Sequence, residues 1–297
     1  MRVTQSMLNN NMQSNLRNNL SRLEKVQNHL ATGKLINKPS DNPIGISYSM
    51  RYRSELAATE QYQSNLNIGL SWLEQTDTML NQATNIVHRA KDLALSGASS
   101  EKNQPARDAI AAEIDELFQQ LKDIANSQLN GRYIFNGQKT DQAPYPNDDS
   151  YQNASFDKGD ISFELSRGIV IQVNVDAGSI FGEVNDADNI FATLANISEA
   201  LKSGETETVR QLSGNLDSRL ETMLNSWSEV GAKTNRVELI DERLKDSNLN
   251  LQDLISKTED ADLAEVIMRL KIEESVYQAS LASGARIIMP SLIDFLR

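Results

Sequence analysis

The stretch EDADLAEVIMRLKIEESVYQASLASGARIIMPSLIDFLR, residues 259–297, decides the fold. Its apolar positions fall on two rows of seven: Leu263, Leu270, Tyr277 and Gly284 on one, Ile267, Leu281 and Ile288 on the other. Interleaved, the rows step by four and three, the seam of a helix built to pack against another helix. Ser256 and Glu259 have the spacing of a capping box, and Asp260 and Asp262 suit the positive end of the helix. Beyond Pro290, Leu292, Ile293, Phe295 and Leu296 put four large apolar residues within five positions. Chain ends are ordinarily polar and frayed, so an apolar one asks for a surface that covers it.

The other end supplies a candidate. Leu16, Leu20, Leu23, Val26 and Leu30 step by four and three as well. Between Arg2 and Lys38 six bases face one acid, whereas from Asp253 to Glu274 seven acids face three bases. Pattern and charge both predict that the two terminal helices lie together. Within them the expected interface residues are Leu16, Leu20, Leu23, Leu30, Leu263, Ile267, Leu270, Tyr277, Leu281 and Ile288, with Leu292, Phe295 and Leu296 beyond.

Between the ends, Gly33 suits the close of the first helix and the turn formers of 37–45 break the chain. A long helix follows over about 47–96, with Leu66, Leu73, Leu80, Val87 and Ala94 on one row of seven and Trp72, Met79, Ile86 and Leu93 on the next. Pro105 opens another helix, which ends at Asn130-Gly131. The period then changes. Residues 161–165 and 169–175 read as a hairpin across Ser166-Arg167-Gly168. Helix returns at Asn189, and after Gly204 the row Leu216, Met223, Val230, Val237, Leu244, Leu251 runs without a gap. The expected fold is mainly α: a long antiparallel helical bundle or coiled coil formed by the N- and C-terminal regions, with a small β-rich insertion. The expected domains are terminal (1–40 and 257–297), helical core (41–136 and 188–256) and insertion (137–187). On this plan the insertion could be removed and the bundle would remain.

Chemistry is missing where an enzyme would need it. His29 and His88 stand alone, with no partner at a helical spacing that would make a catalytic pair. No phosphate-binding glycine motif or HExxH is present. Asp186 and Asp188 lack the glycine and closing glutamate of a calcium loop. Neither catalytic nor cofactor-binding nor metal-ligating residues are therefore expected. A net charge of −12 argues against nucleic acid, and no apolar run approaches the roughly 20 residues of a membrane span. There is no cysteine and no signal-peptide pattern after Met1.

Several motifs, in order, carry a resemblance. LATGKLIN (30–37) is similar to a segment shared by flagellins and flagellar junction proteins, and PSDNPIG (39–45) to its junction version. GRYIFNG (131–137), VGAKTNR (230–236), YQASL (277–281) and SLIDFL (291–296) fit the same pattern. The chain resembles the flagellar hook-associated protein 3 family. The resemblance implies a structural subunit joining hook-associated protein 1 to the flagellin filament, associating also with copies of itself in a ring. It implies an extracellular place in the bacterial flagellum, type III export without a cleaved signal, and an export chaperone on the C-terminal region. It further implies terminal regions that order only on assembly. A filament flagellin subunit is the alternative, with the prolines of 39–45 favouring the junction.

Overall fold

The computed structural model describes residues 5–99, 102–146 and 151–288. The chain forms two compact units, one of residues 1–58 with 247–297, the other of 59–246. It is mainly α, with two small antiparallel hairpins among the described residues.

The first unit holds α1 (Gln5–Thr32), the opening turns of α2 (Pro43–Gly97), the closing turns of α6 (Thr206–Glu259) and α7 (Leu263–Ile288). Helix α1 ends as the glycine predicts, with Gly33 left-handed (φ 69°) and its N–H donating to His29 O at 2.9 Å. Helix α2 begins four residues before the expected start. Asn42 Oδ1 accepts from Gly45 N–H at 2.9 Å, and Pro43 takes the first helical position, where its missing N–H costs nothing. Helices α1 and α7 pack antiparallel: Asn19 Nδ2 donates to Ser280 Oγ at 2.7 Å and Arg22 Nε to Glu273 at 3.4 Å. Ser256 and Glu259 form no capping box, because α6 runs through them. The cap of α7 is Asp262, whose Oδ1 accepts from Ala264 N–H at 2.9 Å.

The second unit is built on the remaining lengths of α2 and α6, which run antiparallel. Asp77 meets Trp227, Oδ1 to Nε1 at 2.6 Å, and Lys91 meets Asp217 at 2.5 Å. The expected rows are buried: Leu66, Leu73, Leu80, Val87 and Ala94 on α2, and Leu216, Met223, Val230, Val237 and Leu244 on α6. Helix α3 (Gln104–Ala125) is capped by Asn103 with Pro105 in its first turn, and packs antiparallel on α5 (Ile190–Ser203). Gln104 Nε2 closes the end of α5 by donating to Leu201 O and Lys202 O.

Asn130-Gly131 does not end a helix. Helix α3 stops at Ala125, and the pair, with φ 52° and 78°, turns a hairpin of β1 (Gln128–Leu129) and β2 (Arg132–Tyr133). The second hairpin, β3 (Ser162–Ser166) and β4 (Ile169–Gln172), sits where the alternation places it. A short α4 (Ala177–Phe181), capped by Asp176, has no counterpart in the sequence reading.

The described apolar residues of 137–187 share the core of the helices. Tyr145, Leu165, Ile171, Val173, Ile180 and Phe181 share one hydrophobic cluster with the buried faces of α2, α3, α5 and α6. Phe135, Tyr145, Phe156, Phe181 and Phe191 stack edge to face or tilted, the Tyr145 and Phe191 rings lying 4.4 Å apart. Such pairs contribute about 0.5–1.5 kcal/mol each beyond the area they bury. Burial pushes the Tyr145 hydroxyl well above the ordinary phenol range. Phe181→Ala is expected to lower the stability of this unit by about 3–5 kcal/mol in urea unfolding. A loss below about 1 kcal/mol would show that residues 137–187 fold apart from the helices.

Candidate assembly surface

Glu259 stands at the end of α6, where the first unit is tied together. Its side chain is 4% exposed. The carboxylate accepts from Ser49 Oγ and from Arg53 Nε (2.8 Å) and Nη2 on α2, and from Lys34 Nζ at 3.0 Å. The backbone joins the same segments. Leu35 N–H donates to Glu259 O at 2.7 Å and Ala261 N–H to Gly33 O at 2.9 Å, a single antiparallel bridge between Lys34 and Asp260. Asp41 orders the preceding loop, accepting from the N–H groups of Asn37 and Lys38.

The charges follow from this geometry. The Arg53 hydrogen bonds, helped by Lys34, hold the Glu259 carboxyl below the usual glutamate range against the opposing effect of burial. Glu259 in turn raises Arg53. The Asn37 and Lys38 N–H groups likewise lower Asp41. His29 lines a groove of about 350 Å³ between α1 and α7, with Lys25, Arg269, Glu265 and Glu273. Burial, then Lys25, lowers its pKa, Asp41 opposing, and its Nε2 has no partner among the described residues.

The bridge and the Asp262 cap set the rotation of α7. Val266, Glu273, Ser280 and Gly284 meet α1, and a Cβ on Gly284 would lie 1.7 Å from Met12 Cε. That face shares Gly284 with the apolar rows read in the sequence and is centred roughly 60° around the helix from them. Of the expected seam on α7, Gly284 meets α1. Leu263, Ile267 and Leu281 are exposed, at 51%, 48% and 44%, while Leu270 and Tyr277 are half-buried. On α1, Leu23 is buried, Leu16 and Leu30 are half-buried, and Leu20 is exposed. The Ile288 side chain and Leu292, Phe295 and Leu296 lie outside the described residues.

Exposed large apolar side chains are concentrated in the first unit. Of those among the described residues, fifteen belong to it and five to the longer second unit. Ile44, Tyr48 and Met50 on α2, Leu249 and Leu254 on α6, and Met268 and Ile272 on α7 join the surface. The sequence reading missed them because they lie off its rows of seven. Singly exposed apolar residues are ordinary; fifteen in the smaller unit are a concentration. Asp186 and Asp188 are engaged by the nearly buried Arg219, at 3.7 and 2.5 Å, and no metal-binding cluster occurs among the described residues. No described helix is long and apolar enough to cross a membrane.

The Glu259 contacts carry a pH dependence of definite sign. With its folded pKa depressed, the stabilisation is complete above the ordinary glutamate value of 4.5 and is lost as pH falls through the lower folded value. Amide protection around the 33–35 and 259–261 bridge should fall with pH in that window. Glu259→Gln should abolish that dependence and cost about 1.5–3 kcal/mol at neutral pH. An unchanged acid profile in the variant would remove Glu259 from this role.

Comparison with known proteins agrees with this architecture. Residues 3–140 match the bacterial flagellin N-terminal helical region. The chain is 25% identical over 299 residues to flagellar hook-associated protein 3 of Escherichia coli, covering 93% of each. It is 26% identical to a flagellar filament 30.7 kDa core protein of Treponema maltophilum, covering 94% of this chain and 95% of that one. The crystal structure of Bacillus cereus FlgL matches with a TM-score of 0.61 and 25% identity, over 69% of this chain and 99% of that one. The chain is similar to flagellins over residues 3–140 and to hook-associated protein 3 in sequence and in fold.

Proposed function

We propose that this chain is a structural subunit of the hook–filament junction, joining hook-associated protein 1 to the flagellin filament outside the cell. The observation that carries the reading is the apolar surface of the first unit, fifteen exposed large side chains against five. A lone subunit bears that surface at a cost of solubility; a subunit stacked in an axial tube covers it. The resemblance to a hook-associated protein 3 over nearly its full length supports the junction. The likeness to a filament core protein favours the alternative, a flagellin that polymerises with itself. Asn42 and Pro43, which start α2 in the junction-like motif, weigh toward the former.

On this reading the terminal regions, 1–40 and 257–297, are the assembling part. Leu263, Ile267 and Leu281 contact neighbouring subunits, as do Leu292, Phe295 and Leu296. The rest of the chain stands as the folded body. The α1–α7 pair leaves much of its apolar surface exposed, so ordering it at about 1–2 kcal/mol per residue is completed by assembly. Export in an unfolded state, and a chaperone over the apolar face of α7 beforehand, belong to the same reading.

The test is the triple variant Leu263→Ser, Ile267→Ser, Leu281→Ser. These side chains are exposed, so melting should shift little. Cells carrying the variant should export it and shed flagellin into the medium without building filaments. Normal filaments would refute the surface. Added to filament seeds, the unaltered purified chain should not elongate them; elongation would favour the flagellin reading.

A further inference from the structure

The chain contains two Asn-Gly pairs, Asn130-Gly131 and Asn136-Gly137. In an unfolded peptide both undergo the same reaction, because glycine has no side chain to shield its backbone nitrogen from the carboxamide before it. That nitrogen, deprotonated by hydroxide, attacks Asn Cγ and forms an N–Cγ bond. The Cγ–Nδ2 bond breaks, and Nδ2 takes a proton from water and leaves as ammonia. Water then opens the resulting succinimide at either ring carbonyl, giving aspartate or isoaspartate.

The fold separates the two pairs. Asn136 is 1% exposed. Its Nδ2 donates to Gln142 O at 3.0 Å and its Oδ1 accepts from Asp157 N–H at 3.0 Å, so both ends of the carboxamide are held. Gly137 is pressed against the same segment, where an added Cβ would collide with Asp157 O. Cyclisation there has to break both side-chain bonds in a site closed to water.

Asn130 has none of this protection. Asn130 and Gly131 are exposed at the tip of the first hairpin, and nothing lies within 4 Å of where a Gly131 Cβ would stand. The Asn130 side chain and the Gly131 N–H make no hydrogen bond among the described residues. To cyclise, the turn leaves its left-handed conformation, φ 52° and 78°, and brings the nitrogen onto Cγ. Little opposes this, because β1 and β2 have two residues each and so short a hairpin is marginal by itself. Its anchors lie at the base, Tyr133 N–H to Thr140 O at 2.9 Å and Ile134 N–H to Ser127 O at 3.2 Å. The tip can therefore open while the base stays in place.

We propose that Asn130 is a site of spontaneous modification in the folded chain, converted through a succinimide to aspartate and isoaspartate, and that Asn136 is not. The isoaspartate product adds a methylene to the main chain inside a two-residue loop, which then no longer fits the Leu129–Arg132 pair that closes it. The hairpin loosens with age as negative charge appears at its tip. The inference concerns the second unit and does not rest on the junction reading.

The test uses the full chain, aged in mildly alkaline buffer and read by peptide mass spectrometry with fragmentation that tells isoaspartate from aspartate. In the native chain, conversion should run about tenfold or more faster at Asn130 than at Asn136, the two bonds of Asn136 setting the difference. Isoaspartate should be among the products. In urea, where both pairs are unfolded, the two rates should converge. Amide exchange at Arg132 should be faster in the isoaspartate form than in fresh protein. Four results would overturn the proposal. Equal rates in the native chain would remove the protection of Asn136, and a difference that survives in urea would assign it to sequence rather than fold. Aspartate without isoaspartate would mark direct hydrolysis instead of a succinimide. Unaltered exchange at Arg132 would show that the hairpin does not loosen.

Discussion

The carboxylate of Glu259 is where three segments of the first unit meet: the loop after α1, the opening of α2 and the turn into α7. Almost none of it reaches water, so its charge is supported by Ser49, Arg53 and Lys34 rather than by solvent. A buried carboxylate holds its place only with such donors around it. Arg53 and Lys34 stay partly exposed, so solvent screening moderates the ion pairs, and the hydrogen bonds supply the geometry. Through the two backbone bonds beside it, the node fixes where α7 begins and which face it turns to α1.

That rotation has a functional consequence. Helix α7 meets α1 at Val266, Glu273, Ser280 and Gly284, and Ile272 and Val276 line the grooves between the two helices. Leu263, Ile267 and Leu281 are left outward, joined by Ile44, Met50, Leu249 and Met268. Polar bonds and the close Met12–Gly284 approach help hold the pair, while a large apolar area stays exposed. The second unit is arranged the other way. Its rows of seven close on one shared core, and five of its large apolar side chains are exposed.

The elements legible in the sequence are those whose partners recur at fixed intervals. Leu66 through Ala94 and Leu216 through Leu244 could be read as buried rows because one period governs each helix over many turns. The hairpin across Ser166–Gly168 was legible from alternation and a turn glycine. What escaped depends on contacts between distant residues. Tyr145 against Phe191, or Phe135 against Phe181, joins the 137–187 segment to the helices without any local period to announce it. Asn130-Gly131 reads as a helix end from sequence because a left-handed pair serves a helix terminus and a tight hairpin equally well. For the candidate site, the apolar rows of α7 were visible but their direction was not. Direction is set by Glu259 and its bonds to Ser49 and Arg53, some two hundred residues earlier in the chain.

An image of the hook–filament boundary at side-chain detail, by electron cryo-microscopy of intact flagella, tests the central claim most directly. The account predicts density for this chain in the junction, with Glu259 still bound to Arg53 and the Leu263, Ile267 and Leu281 row buried against neighbouring subunits. Finding that row facing water, or turned inward onto α1 of its own chain, would contradict it.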